Sequence, residues 1–156
     1  MPVWRLVHED YAATAFDGEG ARITGGRWNS EGIPMVYTAG TLSLALLEII
    51  VHLEIKHTLK YFKAIPITFN ESLVESVPMG SLPLTWDSTP PSFITKTIGD
   101  KWIRQSASAV LCVPSAVVPN EKNYLLNPRH PDFKKIKIGE PIDLPADPRI
   151  LEKLKS

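Results

Sequence analysis

The sequence contains a single cysteine among its 156 residues. One thiol cannot form a disulfide within the chain, and proteins without disulfides are typical of reducing compartments. The basic start, apolar core and small-residue cleavage site of a signal peptide are also absent. We therefore expect a cytoplasmic protein. Cys112 itself lies in the apolar run of residues 109–113, which predicts a buried, unreactive thiol.

Long apolar runs, net charge and metal-binding patterns are missing as well. No run approaches the roughly 18 apolar residues that span a bilayer, so we expect no membrane contact. The 17 basic and 17 acidic side chains cancel, which leaves no overall field to attract nucleic acid. The four histidines and the cysteine show no metal-ligand spacing, so neither a metal nor another bound cofactor is expected. Around Gly25-Gly26 there is no GxGxxG or P-loop pattern.

The length and the hydrophobic content of 44% suit one domain over residues 1–156. Apolar runs at four places predict strands, and alternation over residues 133–138 predicts a half-exposed strand. Pro66 lacks an N–H, which predicts a sheet edge or a bulge for its strand. Helical spacing predicts a helix over residues 92–105, and the Asp147 cap predicts a short terminal helix after it. The fold class predicted is α/β (α+β), with a mixed, partly antiparallel curved sheet and flanking helices. The four apolar runs are residues 3–7, 35–39, 61–69 and 107–113.

The stretch after residue 40 predicts a helix that carries a carboxylate among apolar side chains. Thr41 is a good N-cap, and apolar residues occupy nearly every face as far as Leu53, which predicts a buried helix. Glu48 lies in the middle of this run. Because burial of an unpaired carboxylate is costly, Glu48 must be paired or must face a cleft. A structural ion pair between Glu48 and Arg27 is one of these alternatives.

Motifs spread over nearly the whole chain resemble, in the same order, those of the RES domain family, named for arginine, glutamate and serine. They are GGRWN at 25–29, YTA at 37–39, SLALLE at 43–48, GDKW at 99–102, LCVPSA at 111–116 and NPRHPDF at 127–133. Each motif alone is weak, whereas the ordered set is specific. RES proteins are toxins of bacterial toxin–antitoxin pairs that destroy cellular NAD. Their fold resembles that of ADP-ribosyltransferase toxins, and the resemblance implies the same for this chain.

The resemblance implies a site in which Arg27, Glu48 and Ser115 are catalytic and Arg27, Tyr37 and Ser115 contact NAD, the substrate. Cleavage of the nicotinamide–ribose bond develops positive charge on the sugar, which the Glu48 carboxylate can stabilise. The planar guanidinium of Arg27 suits the pyrophosphate, and the ring of Tyr37 can stack on nicotinamide. Ser115 can supply a hydroxyl to ribose or phosphate, or can position Glu48.

Each of these residues also has a purely structural interpretation. Arginine is most often a surface residue, a tyrosine such as Tyr37 is often a core or rim aromatic, and a serine after proline, such as Ser115, usually forms a turn. His52 lies one turn beyond Glu48, but we leave it outside the catalytic set. His130, in a proline-flanked turn, is expected to cap or orient its loop.

Three functional classes remain open. The first is a toxin that depletes NAD by hydrolysis or phosphorolysis. The second is an ADP-ribosyltransferase that modifies a protein or, as the less favoured acceptor, a nucleic acid. The third is a non-catalytic binding module. Retention of the four site residues argues against the third. The resemblance further implies a cognate antitoxin with an Xre-like helix-turn-helix DNA-binding domain, and it allows a homodimer within that complex. Leu82, Leu84 and Trp86 are candidates for the docking rim of the antitoxin, with core packing as the alternative for each.

Overall fold

The computed structural model describes residues 2–52 and 59–153, and the strands of this part of the chain form one eight-stranded sheet. The strands are β1 (Val3–His8), β2 (Val36–Ala39), β3 (Phe62–Thr68), β4 (Val74–Ser76), β5 (Val110–Pro114), β6 (Lys122–Leu126), β7 (Lys137–Ile138) and β8 (Ile142–Asp143). The α-helices are α1 (Glu19–Thr24), α2 (Leu42–His52), α3 (Phe93–Gln105) and α4 (Pro148–Lys153). Short 3₁₀ helices cover Glu9–Thr14, Leu59–Tyr61, Glu71–Leu73, Met79–Ser81 and Pro131–Lys135.

The strand order is β4-β5-β6-β2-β1-β3-β7, with β8 also paired to β3. The β4–β5 pair is parallel and the other pairs are antiparallel. This curled, mixed sheet with a few flanking helices confirms the predicted fold class. The junction of β1 with β2 is a single registered pair, Trp4 opposite Ala39, whereas β1 pairs with β3 along its whole length. The sheet is therefore two well-paired halves that meet at a narrow junction.

Arg5 connects the two halves where the backbone ladder between them stops. From β1, its Nε donates to the carbonyl of Ala15 over 2.7 Å and its Nη1 donates to the carbonyl of Tyr37 on β2 over 2.9 Å. Burial lowers the pKa of Arg5 to about 10, while the nearby Asp17 acts in the opposite direction. The guanidinium is thus still charged at neutral pH, and it fixes the position of β2 relative to β1.

Both faces of the sheet carry core. On one face the buried side chains are Val3, Val36, Ile67, Leu73, Ala109, Val110, Leu126 and Ile136. On the opposite face Trp28, Met35, Trp86, Trp102, Leu111, Val113 and Leu125 pack together, with α3 as cover. Helix α2 covers the adjoining region around Leu6, Ala39 and Leu44. Successive residues of β5 point to opposite faces, so this strand is buried on both, as its continuous apolar run predicted.

Strand β3 lies inside the sheet, so the sheet edge predicted at Pro66 is wrong, whereas the pairing register shifts by one residue between β7 and β8, as the alternative of a bulge requires. β3 pairs with β1 on one side, and on the other with β7 at residues 67–68 and β8 at residues 63–64. Pro66 faces the gap between these two short partners, where its carbonyl accepts from the N–H of Gly139 over 2.8 Å. The missing N–H points toward the same gap, because N–H and C=O of one strand residue share a side.

The first half of the strand predicted at residues 133–138 is instead part of a 3₁₀ helix, Pro131–Lys135, and only Lys137–Ile138 pairs as β7. His130 Nδ1 accepts a 2.9 Å hydrogen bond from the N–H of Asp132. The histidine therefore caps and orients this turn, as predicted. The cap satisfies a helix-terminal N–H locally, and this outweighs the alternating pattern of the residues that follow.

Helix α2 begins as predicted, since Thr41 Oγ1 accepts from the N–H of Leu44 over 3.1 Å. The prediction that this helix is buried is wrong. Leu44 is fully enclosed, but Leu47 and Val51 are 43% and 60% exposed, because the sheet covers one side of the helix. Leu53, the predicted last residue, lies outside the described residues.

Cys112 is half-buried rather than enclosed, which corrects the prediction of a buried thiol. It lies beside Glu71, Ser76 and Tyr124 in a groove of about 380 Å³, and this groove keeps the side chain accessible. Within the described part of the chain, no helix is long and apolar enough to cross a membrane. Nor do three His, Cys, Asp or Glu side chains in that part lie close enough to hold a metal ion.

Candidate active site

Glu48 and Ser115 are in direct contact. The hydroxyl of Ser115 donates to Oε1 of Glu48 over 2.8 Å. The same Oγ accepts from the N–H groups of Val117 and Val118, over 3.0 and 3.1 Å. A serine hydroxyl has one proton to donate, so these two amides leave that proton for the carboxylate. Ser115 is completely buried and Glu48 is half-buried, so the serine holds one carboxylate oxygen and the other can face a ligand.

The turn after β5 is what brings Ser115 to this place. Pro114 ends the strand, and the serine hydroxyl then caps the N–H groups of the next turn, a local bond that serine commonly makes. The N–H of Ser115 donates to the carbonyl of Glu121, which closes the loop toward β6. Ser115 therefore forms a turn, as its structural interpretation predicted, and the same hydroxyl reaches Glu48.

Tyr37 on β2 is held through its hydroxyl. The O–H donates to Oδ1 of Asn29 over 2.6 Å and accepts from the N–H of Trp28 over 3.1 Å. Burial raises the pKa of Tyr37 above its usual range, and the charge of Asp100 acts in the same direction, while the Trp28 hydrogen bond and the charge of Arg27 oppose it. The hydroxyl is therefore neutral at physiological pH and fully engaged. Since the residue is half-buried, the part of Tyr37 open to a ligand is its ring.

Residues 26–30, which we call the Arg27 loop, form a tight turn between α1 and β2. The N–H of Gly26 donates to the carbonyl of Asn29 over 3.0 Å and closes the turn. Asn29 is completely buried, and its Nδ2 donates to the carbonyls of Ala21 and Ile33. A β-carbon at position 26 would lie 2.7 Å from the Tyr37 hydroxyl, so only glycine allows this approach.

Helix α3 holds the Arg27 loop from outside the sheet. Thr95 Oγ1 donates to the carbonyl of Arg27 over 2.7 Å. The carboxylate of Asp100 accepts from both the N–H and the hydroxyl of Ser30, over 2.8 and 2.6 Å. Thr95 and Asp100 are both buried, so water does not compete for these bonds.

Close approach of the helix to the loop requires Gly99. A β-carbon there would lie 1.7 Å from the carbonyl oxygen of Trp28, a distance that no side chain can occupy. This close contact explains why α3 contains a glycine at position 99, although glycine weakens the intrinsic helix preference. It lets the helix backbone touch the loop that carries Arg27.

The guanidinium of Arg27 is fixed at its tip by the connector between β4 and α3. Its Nη1 donates to the carbonyls of Trp86 and Ser88, over 3.2 and 2.8 Å. Within the described part of the chain, its Nε and Nη2 make no hydrogen bond, so this edge of the fork can bind phosphate oxygens. Glu48 is bonded to Ser115 and forms no ion pair with Arg27, which excludes the structural bridge considered from the sequence.

The structure thus groups the four predicted residues as two pairs. Glu48 contacts Ser115 directly, and Tyr37 is joined to the segment of Arg27 through the N–H of Trp28. β2 and α2, which follow one another in the chain, carry Tyr37 and Glu48. The four side chains thus come from β2, the loop before it, the helix after it and the turn after β5. His52 is exposed at the end of α2.

Sequence reasoning missed the side chains of α3 that hold the Arg27 loop. Gly99 and Asp100 belong to a motif noted above, but no role was assigned to them. Thr95 and Lys96 carried no motif signal. Their spacing was nevertheless informative, because Thr95 and Gly99, like Lys96 and Asp100, are four positions apart and so share a helix face.

Of the three connector residues considered for a docking rim, Trp86 belongs to the core. It is 7% exposed, and its ring lies 6.4 Å from that of Trp28 between centroids. Leu82 is half-buried against the same cluster. Leu84 differs, since 98% of it is exposed. Core packing therefore accounts for Trp86 and Leu82 and not for Leu84.

Comparison with known proteins places this arrangement in a family. A sequence model of the RES domain matches residues 2–147, which include all four predicted site residues. The chain belongs to the RES domain family. A relative named Toxin Res, from Photorhabdus laumondii, is 38% identical to this RES chain over 156 residues, covering 99% of this chain and 100% of the relative. A Prs ADP-ribosylating toxin from Sphingobium sp. is 37% identical over 155 residues, covering 96% of each.

A solved structure shares the fold of this RES domain. The M. tuberculosis MbcT–MbcA toxin–antitoxin complex contains a chain that superposes with a TM-score of 0.72 at 16% identity. The alignment covers 99% of this RES chain and 88% of the other. This likeness supports the RES-type fold.

Proposed function

We propose that this protein is the toxin of a toxin–antitoxin pair and that it depletes NAD by cleaving the nicotinamide–ribose bond. The single observation that carries the proposal is the Ser115–Glu48 hydrogen bond, which holds the carboxylate of α2 in a fixed place. The toxin assignment rests on relatives that bear the name Toxin Res and cover nearly the whole chain.

In the proposed reaction the bond between the ribose C1′ and the nicotinamide nitrogen breaks. The bonding electrons leave with nicotinamide, which becomes neutral, and the ribose carries the positive charge. The Glu48 carboxylate stabilises that charge and accepts a hydrogen bond from the ribose hydroxyl. Water or phosphate then adds to C1′ and releases a proton to solvent. The result is ADP-ribose or its phosphate ester.

The other two residues bind the substrate in this scheme. Nε and Nη2 of Arg27 donate to the pyrophosphate oxygens, because the guanidinium tip is already fixed by the connector carbonyls. The ring of Tyr37 stacks on nicotinamide, since its hydroxyl is engaged and its ring is half-exposed. A bound and oriented dinucleotide lowers the entropic part of the barrier.

Transfer of ADP-ribose to a protein is the second candidate. It is favoured by the 37% identity to a relative named as an ADP-ribosylating toxin. The bond broken and the role of Glu48 are the same in this case. The acceptor is then a nucleophilic side chain instead of water or phosphate.

One experiment separates these outcomes. The purified protein is incubated with NAD, with and without phosphate, and the products are identified by mass spectrometry. Free ADP-ribose indicates hydrolysis, its phosphate ester indicates phosphorolysis, and ADP-ribose attached to an added protein indicates transfer. The Glu48→Gln variant is the control for contaminating activity. Intact NAD under all of these conditions would contradict the proposal.

An NAD-depleting enzyme must be restrained in its own cell, so we also propose a cognate antitoxin with an Xre-like helix-turn-helix domain. The solved toxin–antitoxin complex supports an antitoxin partner, and the helix-turn-helix type rests on the family resemblance alone. Expression of this chain alone should arrest growth while NAD falls, and co-expression of the neighbouring gene should restore growth. Harmless expression of soluble protein that consumes NAD in vitro would contradict the toxin role.

A further inference from the structure

Lys96 reaches from α3 to both ends of the turn that carries Arg27. Its Nζ donates to the carbonyl of Gly26 over 2.8 Å and to the carbonyl of Asn29 over 3.4 Å. Gly26 and Asn29 are also the two residues whose backbones bridge to close the turn. One ammonium group therefore ties together the two strands of the loop on either side of Arg27.

We propose that Lys96 is a positioning residue for NAD binding, which sets the direction in which Arg27 presents its guanidinium to the pyrophosphate. This inference rests on the proposed NAD-cleaving function. The tip of Arg27 is held by connector carbonyls, and Lys96 holds the backbone from which the side chain starts. A guanidinium fixed at both ends loses less freedom when it binds phosphate, so binding is tighter.

The Arg27 loop has other anchors on α3, so the positioning role of Lys96 can be tested separately from folding. Thr95 donates to the Arg27 carbonyl, and Asp100 accepts two bonds from Ser30, both from the same helix. These side chains are buried, whereas Lys96 is half-buried. Loss of Lys96 should therefore leave the helix docked on the loop while the turn around Arg27 gains freedom.

The charge of Lys96 favours NAD binding, as its hydrogen bonds to the Arg27 loop do. An ammonium held against the Arg27 loop adds a second positive charge on the side of the site proposed for the pyrophosphate. The two carbonyl acceptors are neutral, whereas the carboxylate of Asp100, one turn further along the helix, offsets part of this charge. Arginine at position 96 would keep both the charge and the donors.

The test measures NAD affinity by calorimetry in the Glu48→Gln background, where the substrate is not consumed. Lys96→Met should weaken NAD binding about tenfold, the effect expected when hydrogen bonds from a charged group are lost. Lys96→Arg should retain most of the affinity. Lys101→Met, an exposed lysine on the same helix, is the matched control and should bind like the parent.

A double-mutant cycle tests whether Lys96 acts on NAD binding through Arg27. If Lys96 acts through Arg27, then Lys96→Met in an Arg27→Lys background should change affinity less than about twofold. In the active enzyme, Lys96→Met should raise KM with little change in kcat, since Glu48 and Ser115 lie on other elements. The melting temperature should stay close to that of the Lys101→Met control.

Two results would overturn the positioning role. One is unchanged NAD affinity in Lys96→Met when the parent binds NAD. The other is a tenfold loss that persists undiminished in the Arg27→Lys background, which would make Lys96 a direct phosphate contact. Failure of the parent itself to bind NAD is a different outcome, because it contradicts the proposed function and the inference falls with it.

Discussion

The hydroxyl of Ser115 lies 2.8 Å from Oε1 of Glu48, although the two residues are 67 positions apart in the chain. The carboxylate comes from α2 and the serine from the turn after β5, so their contact depends on how α2 packs against the sheet. Two backbone amides fix the direction of the serine proton. The orientation of Glu48 is therefore set by the turn at Ser115 as much as by its own helix.

Replacement of Glu48 by glutamine should lower the rate of NAD loss by about 100-fold or more while the protein stays folded. The amide keeps the shape of the side chain but removes the charge that stabilises the ribose cation. The measurement is NAD consumption together with the melting temperature. Glu75→Gln, an exposed carboxylate on β4, is the matched control and should keep the parent rate. A Glu48→Gln enzyme as fast as the parent would remove Glu48 from catalysis.

Ser115→Ala should lower both stability and rate. The N–H groups of Val117 and Val118 lose their buried acceptor, which costs about 1 to 3 kcal/mol in the free energy of unfolding. The rate falls because Glu48 loses its donor. If the serine acts through Glu48, it should cause no further loss of rate in the Glu48→Gln background.

Urea unfolding and NAD consumption measure the two effects of Ser115→Ala. Ser43→Ala, at an exposed position of α2, is the control and should change neither quantity. Additive rate losses in the Ser115→Ala, Glu48→Gln double variant would show that Ser115 acts on the substrate independently of Glu48.

Arg27→Lys should weaken NAD binding and reduce activity strongly. Lysine keeps the positive charge but lacks the planar fork, so it cannot hold the connector carbonyls and the pyrophosphate at the same time. Calorimetric titration of NAD into Glu48→Gln protein, with and without the arginine change, measures the effect. Arg104→Lys, exposed near the end of α3, serves as the control. Equal affinities would place Arg27 outside the binding site and leave it a purely structural residue.

Gly99→Ala should destabilise the protein by ~3 kcal/mol or more, at or above the upper end for overpacked cores. The added methyl group would lie 1.7 Å from the Trp28 carbonyl, so α3 and the Arg27 loop must separate. The free energy of unfolding in urea is the measurement. Gly20→Ala in α1 is the matched control, because its methyl group meets nothing within 4 Å. The control should gain up to about 1 kcal/mol from better helix preference. Equal stability of the two variants would refute the close approach.

Tyr37 should give the protein a specific loss of stability at alkaline pH. Burial raises its pKa in the folded state, whereas the unfolded chain titrates near the usual value of about 10. Below this pH both states keep the proton and the stabilisation is fully present. Above it the unfolded chain loses the proton first, so the free energy of unfolding falls as the pH rises toward the folded pKa.

The comparison that tests this is urea unfolding between about pH 8 and pH 11. Tyr37→Phe should be less stable at neutral pH, since the hydroxyl bonds are lost, but its stability should decline less steeply above about pH 10. Tyr11→Phe, at a side chain that is 66% exposed, should follow the parent curve. Parallel curves for the parent and Tyr37→Phe would show that the hydroxyl is not protected by burial.

Local features were predictable because their causes lie within a few residues of one another. The Thr41 cap, the His130 cap and the helix after Ser92 each depend on one hydrogen bond to a neighbouring N–H. The apolar runs of β1, β2 and β5 likewise follow from period and composition alone. The ordered motifs identified the family and hence the four site residues, whose roles remain predictions.

The predictions that failed concern how segments of the chain pair and pack with one another. The choice between an edge and a bulge at the proline of β3 could not be made, because pairing partners far along the chain decide it. The alternation before β7 gave way to the local cap at His130. The apolar surface of α2 did not reveal that the sheet covers one side of it and leaves Leu47 and Val51 exposed. Periodicity reports which side chains are apolar, whereas burial depends on which faces are covered.

By itself, the sequence determined that a buried carboxylate at position 48 must be paired or face a cleft, because an unpaired charge is costly wherever it is enclosed. Only the tertiary structure decided that the partner is Ser115 and not Arg27. It also decided that α3 holds the Arg27 loop through Lys96 and Asp100. A side chain carries its need for a hydrogen bond in its own chemistry. Which group meets that need is set by the packing of segments that are distant in the chain.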